Sequence, residues 1–465
     1  MALKRKNGAE QPYIPAGIFK IRIPFIHYRW EISECLQAIL MCATCLGAIP
    51  ILEQILGVPY EIAWSMVIIN GLLYNLHSLL GDPVVPGWIT PAVPLVSAFL
   101  TQSQQGPERV KALIALQLVV GLIFLIMGIS GMAGKIIGLI PNAIKAGILL
   151  GAGFSAIMGE FQDGGRFGKY PITVGIGALL AYFMLFSLLF RKMKDNSKLW
   201  HVIGNFGMLP AIIIAVIIGP VSGELPAPNL VLGSIIKVPE IGQIIHTLSP
   251  FSIGFPTLST FISVIPTAIA VYIIAFGDFV SSEELIREAD HVRKDEKVDF
   301  NANRSNIISA IRNLIEGLVC PYVVLSGPLW AAVTAAVSER YKEGRESMDS
   351  LFGGIGTFRW MTFICVALVP VASFVQPILP AALSLTLIVQ GYVCCKIGLG
   401  MIKTDMERGI AGVMAAILAI KGASWGLIIG IVVYILLNGN FKDPVTTTES
   451  SEEKGVSQSL CKPSN

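Results

Sequence analysis

Charged residues are scarce in this sequence. Only 14% of its 465 residues are Asp, Glu, Lys or Arg, whereas soluble proteins carry roughly a quarter. Hydrophobic residues make up 54% of the chain, and the mean hydropathy is +0.69. This balance excludes an ordinary soluble domain and indicates a protein that crosses a membrane many times.

The sequence also lacks the motifs of the common catalytic classes. It contains no Gly-Lys-Ser/Thr phosphate loop, no nucleophile elbow and no helix with metal-ligand spacing. We therefore expect no enzymatic activity, no cofactor, no metal site, no nucleic-acid partner and no use of ATP. Most of the eight cysteines stand in apolar runs without the spacing of a zinc site, and this pattern is typical of small buried side chains.

The sequence contains many long apolar runs. Windows close to the roughly 20 residues that cross a bilayer recur between residues 32 and 437, about fourteen in all. The first thirty residues are polar and basic and lack the apolar core of a signal peptide. We predict an integral membrane protein with the lipid bilayer as its main surrounding, located in the plasma (inner) membrane.

The distribution of Lys and Arg indicates the orientation. The segments RKMKDNSK (191–198), READHVRKDEK (287–297) and ERYKEGR (339–345) fall on the same side as the basic N-terminus, and the charge-poor linker 222–256 falls on the other. Cytosolic loops are enriched in Lys and Arg. Both termini are therefore predicted to be cytosolic.

Two apolar runs are interrupted. VVPGWITPAVPLVSAFL (84–100) and YVVLSGPLWAAVTAAV (322–337) each suggest a short extended piece, a break and a short helix. We expect one half-helix to begin near Thr90 and the other near Ser326, since Thr or Ser followed by Pro is typical of a helix start. Non-helical backbone at membrane depth survives only where protein or a cavity satisfies it, and paired interruptions indicate a transporter site.

The spacing of the interruptions suggests an internal repeat. Pro328 and Pro91 are 237 positions apart, and Asp278 minus 237 falls at Met41, inside the first span. Seven spans per repeat, an odd number, would make the two halves inverted, although two proline-broken segments could also match by chance. Two helix N-termini meeting at mid-membrane would suit an anion, or a planar molecule with carbonyl acceptors.

Five segments resemble known transporters. LQAILMCATCLGAIP (36–50), PGWITPAVPLVSA (86–98) and AAVTAAVS (331–338) resemble the first, third and tenth spans of the nucleobase–ascorbate transporter family, which includes uracil and xanthine permeases. IPNAIKAGILLGAGFSAIMG (140–159) resembles the fifth span of purine permeases, and DFVSSEELI (278–286) is similar to the eighth span of sulfate-permease-type anion transporters.

The resemblance implies an all-α polytopic fold of about fourteen spans in two inverted seven-span repeats. Short strands and half-helices would form spans three and ten, a core domain would hold the substrate, a gate domain would pack beside it, and the protein would form a homodimer. A cytosolic N-terminal segment (1–30) and a disordered cytosolic tail (441–465) would flank the two domains. The core domain would consist of residues 31–132 and 259–375, and the gate domain would consist of residues 133–258 and 376–440.

The chain departs from these families at two positions and in its length. Nucleobase members usually carry a histidine where this chain has Ala38, and an acidic or amide residue where it has Ser326. Sulfate-permease relatives usually end in a large cytosolic domain, for which the tail after Phe441 is too short. The resemblance therefore indicates the fold more strongly than the substrate.

A carboxylate stands in the apolar run AIAVYIIAFGDFVSSEEL (268–285). Asp278 aligns with the acidic residue that contacts substrate or proton in the resembled families. An ionisable group at mid-bilayer costs about 2.5–3.5 kcal/mol on insertion scales, so it usually has a function. A helix that begins near Pro266 would place Asp278 at mid-membrane, whereas one that begins near Leu258 would place it near the cytosolic edge. We expect the first, because proline favours the start of a helix.

Other residues have both a functional and a structural interpretation. Lys145 could attract an anion or extend to a membrane interface, and His77 could relay protons or form internal hydrogen bonds. Glu316 could titrate as a second coupling group or hydrogen-bond to a neighbouring helix. Tyr272 could form a wall of the site or pack in the core.

The sequence predicts a secondary active transporter that takes up a nucleobase such as xanthine or uracil with protons, by alternating access. The alternative is a small inorganic or carboxylate anion. The coupling ion is expected to be H⁺, with Na⁺ left open, and the coupling residues are predicted to be Asp278 and Glu316. The predicted substrate-binding residues are Asp278, Ser281, Ser282, Thr90, Trp88, Ser326, Gly327, Trp330 and Phe276.

Overall fold

The computed structural model describes residues 3–205, 209–231 and 235–439. Helices dominate these residues, accompanied by two short two-stranded ladders. The all-α polytopic fold class is therefore confirmed. The tail expected at 441–465 lies outside the described residues.

Twenty-two α-helices follow one another along the described chain. They are α1 (Ile32–Leu46), α2 (Ile49–Leu56), α3 (Tyr60–Leu79), α4 (Val93–Leu100), α5 (Pro107–Ser130), α6 (Ala133–Gly138), α7 (Asn142–Phe161), α8 (Arg166–Lys169), α9 (Pro171–Phe186), α10 (Leu188–Asn196), α11 (Lys198–Asn205), α12 (Leu209–Ser222), α13 (Ile241–Leu248), α14 (Pro250–Ile253), α15 (Leu258–Val292), α16 (Ala302–Val319), α17 (Ala331–Lys342), α18 (Leu351–Val366), α19 (Val369–Val375), α20 (Leu379–Gly400), α21 (Asp405–Lys421) and α22 (Ala423–Asn438).

The strands are short and form two antiparallel pairs. Strand β1 (Ile14–Ala16) pairs with β2 (Phe19–Ile21) in the N-terminal segment, and β3 (Gly87–Trp88) pairs with β4 (Ser326–Gly327) at the centre of the molecule. Two 3₁₀ turns, Thr90–Ala92 and Gln376–Ile378, precede helices.

Five helical stretches are long and apolar enough to cross a membrane. A further two bent pairs raise the number to seven if each pair is counted as one span, and four shorter apolar helices accompany them in the described chain. The count of fourteen spans is not confirmed. The five stretches are Tyr60–Leu79, Pro107–Ser130, Asn142–Lys169, Leu258–Val292 and Val369–Gly400.

The helices pack in two groups. The first bundle contains α1, α3, α5 and α15 to α18, and the second bundle contains α7, α9, α12 and α20 to α22. Half-helix α17 packs on α15 and α18 of the first bundle, whereas α4 lies against α7 of the second. The domain boundaries given above stay a prediction.

The second half-helix begins later than expected. Ser326 belongs to strand β4, and α17 begins only at Ala331. Two features keep the chain extended up to that point. The residue before Pro328 is disfavoured in helical conformation, and the backbone N–H of Trp330 donates to the carbonyl of Val85, 2.6 Å away, instead of to its own helix.

The start predicted for the helix that carries Asp278 is wrong. Helix α15 runs from Leu258 to Val292 with Pro266 inside it. The helix begins earlier because the Thr257 hydroxyl accepts a hydrogen bond from the backbone N–H of Thr260, 3.3 Å away, and so caps the first turn. With 35 residues, α15 is roughly 52 Å long at 1.5 Å per residue.

Candidate substrate-binding site

A cavity of about 470 Å³ lies between the two bundles. Its walls come from α1, α3, β3, α15, α17 and α18 on one side, and from α9, α12 and α20 on the other. The β3–β4 ladder places the start of each half-helix at this cavity. The cavity is therefore built where the two interruptions of the chain meet.

Five of the nine predicted substrate-binding residues line the cavity. Two are tryptophans, one on strand β3 and one just before α17, and the others carry a hydroxyl or a carboxyl group. They are Trp88, Thr90, Asp278, Ser281 and Trp330.

The other four predicted residues do not line the cavity. Ser326 and Gly327 form β4 behind it, and Ser282 is fully buried on α15. Phe276 packs against the hydrophobic core. These positions follow from the later start of α17 and from the rotation of α15, neither of which the sequence pattern specifies.

Asp278 faces the cavity from α15. Among the described residues, no hydrogen bond or ion pair engages its carboxyl group. The earlier start of α15 therefore does not move Asp278 away from the half-helices. The carboxyl group is left for a proton, an ion or a substrate.

The sequence analysis missed Arg359, which lines the same cavity from α18. Its side chain is only 1% exposed, and none of its three guanidinium nitrogens has a hydrogen-bond partner in the described part of the chain. The guanidinium lies 4.2 Å from the ring centre of Tyr74 and 5.1 Å from that of Trp330. The Cys45 thiol, a weak hydrogen-bond acceptor, lies beside it without the geometry of a formed hydrogen bond. Aromatic faces attract a cation, but they do not replace hydrogen bonds.

A second buried arginine, Arg312, forms hydrogen bonds through two of its three guanidinium nitrogens. It donates to the Ser326 hydroxyl over 2.8 Å and to the Gly327 carbonyl over 3.0 Å. It also lies 4.4 Å from the ring centre of Tyr74, so both arginines contact one tyrosine ring. Arg312 is therefore held by neutral acceptors, whereas none of the guanidinium nitrogens of Arg359 has a hydrogen-bond acceptor among the described residues.

Glu316 lies in a buried hydrogen-bond network. Its carboxylate is buried and accepts hydrogen bonds from Asn70 at 2.6 Å, from Gln117 at 2.8 Å and from Ser326 at 2.7 Å. It does not line the cavity. The carboxylate instead fixes β4 to α3, α5 and α16 and lies close to Arg312.

Three further candidates are also outside the cavity. His77 is fully buried, with Nδ1 2.7 Å from the Asp82 carboxylate, which fits the internal hydrogen-bonding interpretation. Lys145 lies near the start of α7, 3.4 Å from the Asn142 side-chain oxygen. Tyr272 donates to Asn306 over 2.9 Å within the core.

The half-helix starts add positive potential to the cavity. Trp330 precedes α17 without a side-chain cap, and Ala331 and Ala332 of its first turn line the cavity. Thr90 and Pro91 line it from the turn that leads into α4. The first N–H groups of a helix lack partners within the helix and carry the positive end of its dipole, so the start of α17 adds such an end to the buried guanidinium. The turn before α4 contributes less, because Pro91 has no N–H group and the N–H of Ala92 donates to the carbonyl of Ile89.

Comparisons with solved structures identify the fold. The transmembrane domain of a cyanobacterial bicarbonate transporter, BicA, aligns over 86% of this chain and 97% of its own, with a TM-score of 0.51 and 13% identity. The murine Solute Carrier 26 family member A9 anion transporter, in its inward-facing state, aligns over 88% of this chain and 68% of its own, with a TM-score of 0.52 and 12% identity. This chain has a membrane-transporter fold.

The fold relationship that the sequence suggested, including that to sulfate-permease-type anion transporters, is thereby confirmed. Both neighbours are transporters rather than enzymes. No protein-family model and no curated protein matches the chain. At 12–13% identity the two structures establish the fold but not the substrate. The substrate has to be inferred from the chemistry of the cavity.

Proposed function

We propose that this protein transports a small anion across the membrane by alternating access. The observation that carries the proposal is the guanidinium of Arg359, buried in the central cavity without a hydrogen-bond partner among the described residues. A buried charge is costly unless it is paired. An anion bound in the cavity would supply the missing partner, and the first N–H groups of α17 would donate further hydrogen bonds to it.

The positive charge in the cavity favours an anion over a nucleobase as the substrate. In the sequence, Lys145 was the basic residue that could attract an anion. Arg359 takes that role instead, since Lys145 lies outside the cavity. Two structural neighbours carry the descriptions of bicarbonate transporter and anion transporter. A nucleobase stays the second candidate, because Trp88 and Trp330 both face the cavity and a flat ring could stack on either.

The position of the cavity between the bundles supports movement of one bundle against the other. A separate polar contact joins α2, which packs on α3 of the first bundle, to α8, which packs on α7 and α9 of the second. Arg166 of α8 donates to Gln54 of α2 over 3.0 Å and also pairs with Glu160 of α7. Relative movement of the bundles would break such contacts and change the side of the membrane from which the cavity is accessible. In this mechanism the first bundle is the core domain and the second is the gate domain.

Asp278 would couple transport to protons. When ionised, its carboxylate in the same cavity as Arg359 repels an incoming anion, and protonation removes that repulsion. Proton binding and anion binding then favour each other, which gives symport. Sodium at Asp278 would satisfy the same electrostatic requirement. A homodimer in the plasma membrane, with both termini in the cytosol, completes the proposal.

The test is anion uptake into liposomes that contain the purified full-length protein. Arg359→Gln keeps the size of the side chain without the charge and is expected to lower uptake at least 100-fold, whereas Arg359→Lys restores part of it. Arg408→Gln, which removes an exposed arginine side chain from α21, serves as control. Equal uptake by Arg359→Gln and by the unaltered protein would refute the proposal, as would uptake of uracil but of no anion.

A further inference from the structure

The central cavity is chemically asymmetric. Among the described residues, its two charged side chains, Asp278 and Arg359, both come from the first bundle. The second bundle faces them with a mostly apolar wall that includes Phe186 of α9, Ile212 of α12 and Val393 of α20. A ligand that fits both sides needs one charged end and one apolar end.

The size of the cavity also favours an organic molecule. Water occupies roughly 30 Å³ per molecule in the liquid, and inorganic anions of three to five atoms occupy only a few times that volume. They would leave most of the roughly 470 Å³ filled with water against apolar walls. Apolar cavities of 300–1,000 Å³ with a few fixed polar groups are instead typical of sites for organic ligands.

The charge balance indicates a single negative charge. Arg359 is the cation in the cavity that lacks a partner among the described residues, since Arg312 behind it is held by Ser326 and Gly327. A second negative charge on the ligand would face either Asp278 or the apolar wall, and both positions disfavour it.

We propose that the substrate is an organic monocarboxylate with an apolar body about the size of one aromatic ring. The carboxylate binds Arg359 and the first N–H groups of α17, and the ring lies between Trp330 and Phe186. This inference rests on the proposed anion transport and adds the class of anion.

Benzoate, acetate, bicarbonate, chloride, sulfate and uracil form the test panel. Their affinities are measured by calorimetry on the purified full-length protein in chloride-free buffer at pH 6. Benzoate is expected to bind at least tenfold more tightly than acetate, because only benzoate buries a ring. The inorganic anions are expected to bind more weakly than benzoate.

Variants distinguish the contribution of the carboxylate to binding from that of the apolar ring. Phe186→Ala should lower the affinity for benzoate at least fivefold and leave the affinity for acetate unchanged. Phe374→Ala, at a side chain that is 46% exposed and away from the cavity, should change neither. Arg359→Gln should abolish the binding of both carboxylates.

The outcomes distinguish the two proposals. If inorganic anions bind as tightly as benzoate, or if Phe186→Ala affects acetate and benzoate equally, the monocarboxylate is wrong and anion transport stands. If no anion binds, or if Arg359→Gln binds the anions normally, both proposals are wrong. Tight binding of uracil without binding of any carboxylate would show that the cavity is a nucleobase site.

Discussion

Gly87 and Gly327 are direct partners in the antiparallel ladder between the two interrupted spans. A Cβ atom on Gly87 would lie 2.7 Å from the carbonyl oxygen of Leu329, and one on Gly327 would lie 3.0 Å from the backbone nitrogen of Ile89. The close approach of two backbones explains why glycine stands in both strands. Through this pair, each half-helix start is positioned by the other.

Gly87→Ala is expected to separate the two strands and to disorganise the cavity. Because the new methyl group would meet backbone rather than a flexible side chain, we expect anion affinity to fall at least tenfold and the thermal midpoint to fall by several degrees. Gly409→Ala on α21 is the control, since no atom lies within 4 Å of the added Cβ and alanine favours a helix. Normal anion affinity in Gly87→Ala would show that the ladder does not position the site.

The interrupted spans could be predicted from sequence because their signals are local. Proline, glycine and β-branched residues determine where helix cannot continue, and both breaks lie where 84–100 and 322–337 indicated. The exact start of α17 depends on Val85, which pairs with Trp330 from a segment more than two hundred residues away. Local propensity does not include such a contact.

Arg359 was missed for a different reason. Its segment, GTFRWMTFICV (356–366), contains a single arginine in an apolar run, which is itself a signal for a functional site in a membrane protein. What the sequence does not show is that Arg312 has hydrogen-bond partners whereas Arg359 has none among the described residues. That difference arises from tertiary packing around Tyr74.

Removal of the Glu316 charge tests whether this carboxylate is structural. Glu316→Gln cannot accept hydrogen bonds from Asn70, Gln117 and Ser326 together, because its amide nitrogen is a donor. Each buried group left without a partner costs about 1–3 kcal/mol, so the thermal midpoint is expected to fall clearly. Glu346→Gln, at an exposed position, should leave it unchanged.

A proton-coupling role for Glu316 predicts a different result. Glu316→Gln would then keep its stability and lose the pH dependence of uptake. Measurement of the thermal midpoint together with uptake at pH 6 and pH 8 separates the two roles.

The loop between α15 and α16 contains adjacent carboxylates with opposite pKa shifts. Burial raises the pKa of Glu296 to about 7, despite Arg5 at 3.4 Å. Hydrogen bonds and charge from Arg293, with Arg5 in addition, lower the pKa of Asp295 to about 2. The Glu296 contribution to stability is therefore fully present below about pH 4.5 and is lost as the pH rises through 7, whereas the Asp295 contribution is constant above about pH 4.

Glu296→Gln is expected to become more stable relative to the unaltered protein as the pH rises from 5.5 to 8.5. Each unit of pKa displacement corresponds to about 1.4 kcal/mol, so the change should be measurable as a shift of the thermal midpoint. Asp295→Asn is the matched control and should be less stable by the same amount at every pH in this range. A constant difference for Glu296→Gln would show that Glu296 does not titrate there.

Asp278 and Arg359 together predict how anion binding depends on pH. Because an ionised Asp278 would repel an anion at Arg359, the affinity of the unaltered protein should fall as the pH rises from 5.5 to 8.5. Asp278→Asn resembles the protonated state and should bind anions with one affinity throughout. The same variant should exchange anions across liposomes while failing to accumulate them on a proton gradient.

Calorimetric anion affinities at four pH values, with uptake in parallel, provide the measurement, and Asp405→Asn at a 94% exposed carboxylate is the control. If Asp278→Asn retains the pH dependence of the unaltered protein, the coupling proton binds elsewhere. If it binds no anion at any pH while its thermal midpoint is unchanged, Asp278 contacts the substrate or a sodium ion directly. A flat profile with retained anion affinity would assign the pH dependence of binding to the Asp278 carboxyl group, because the variant removes that charge and leaves Arg359 in place.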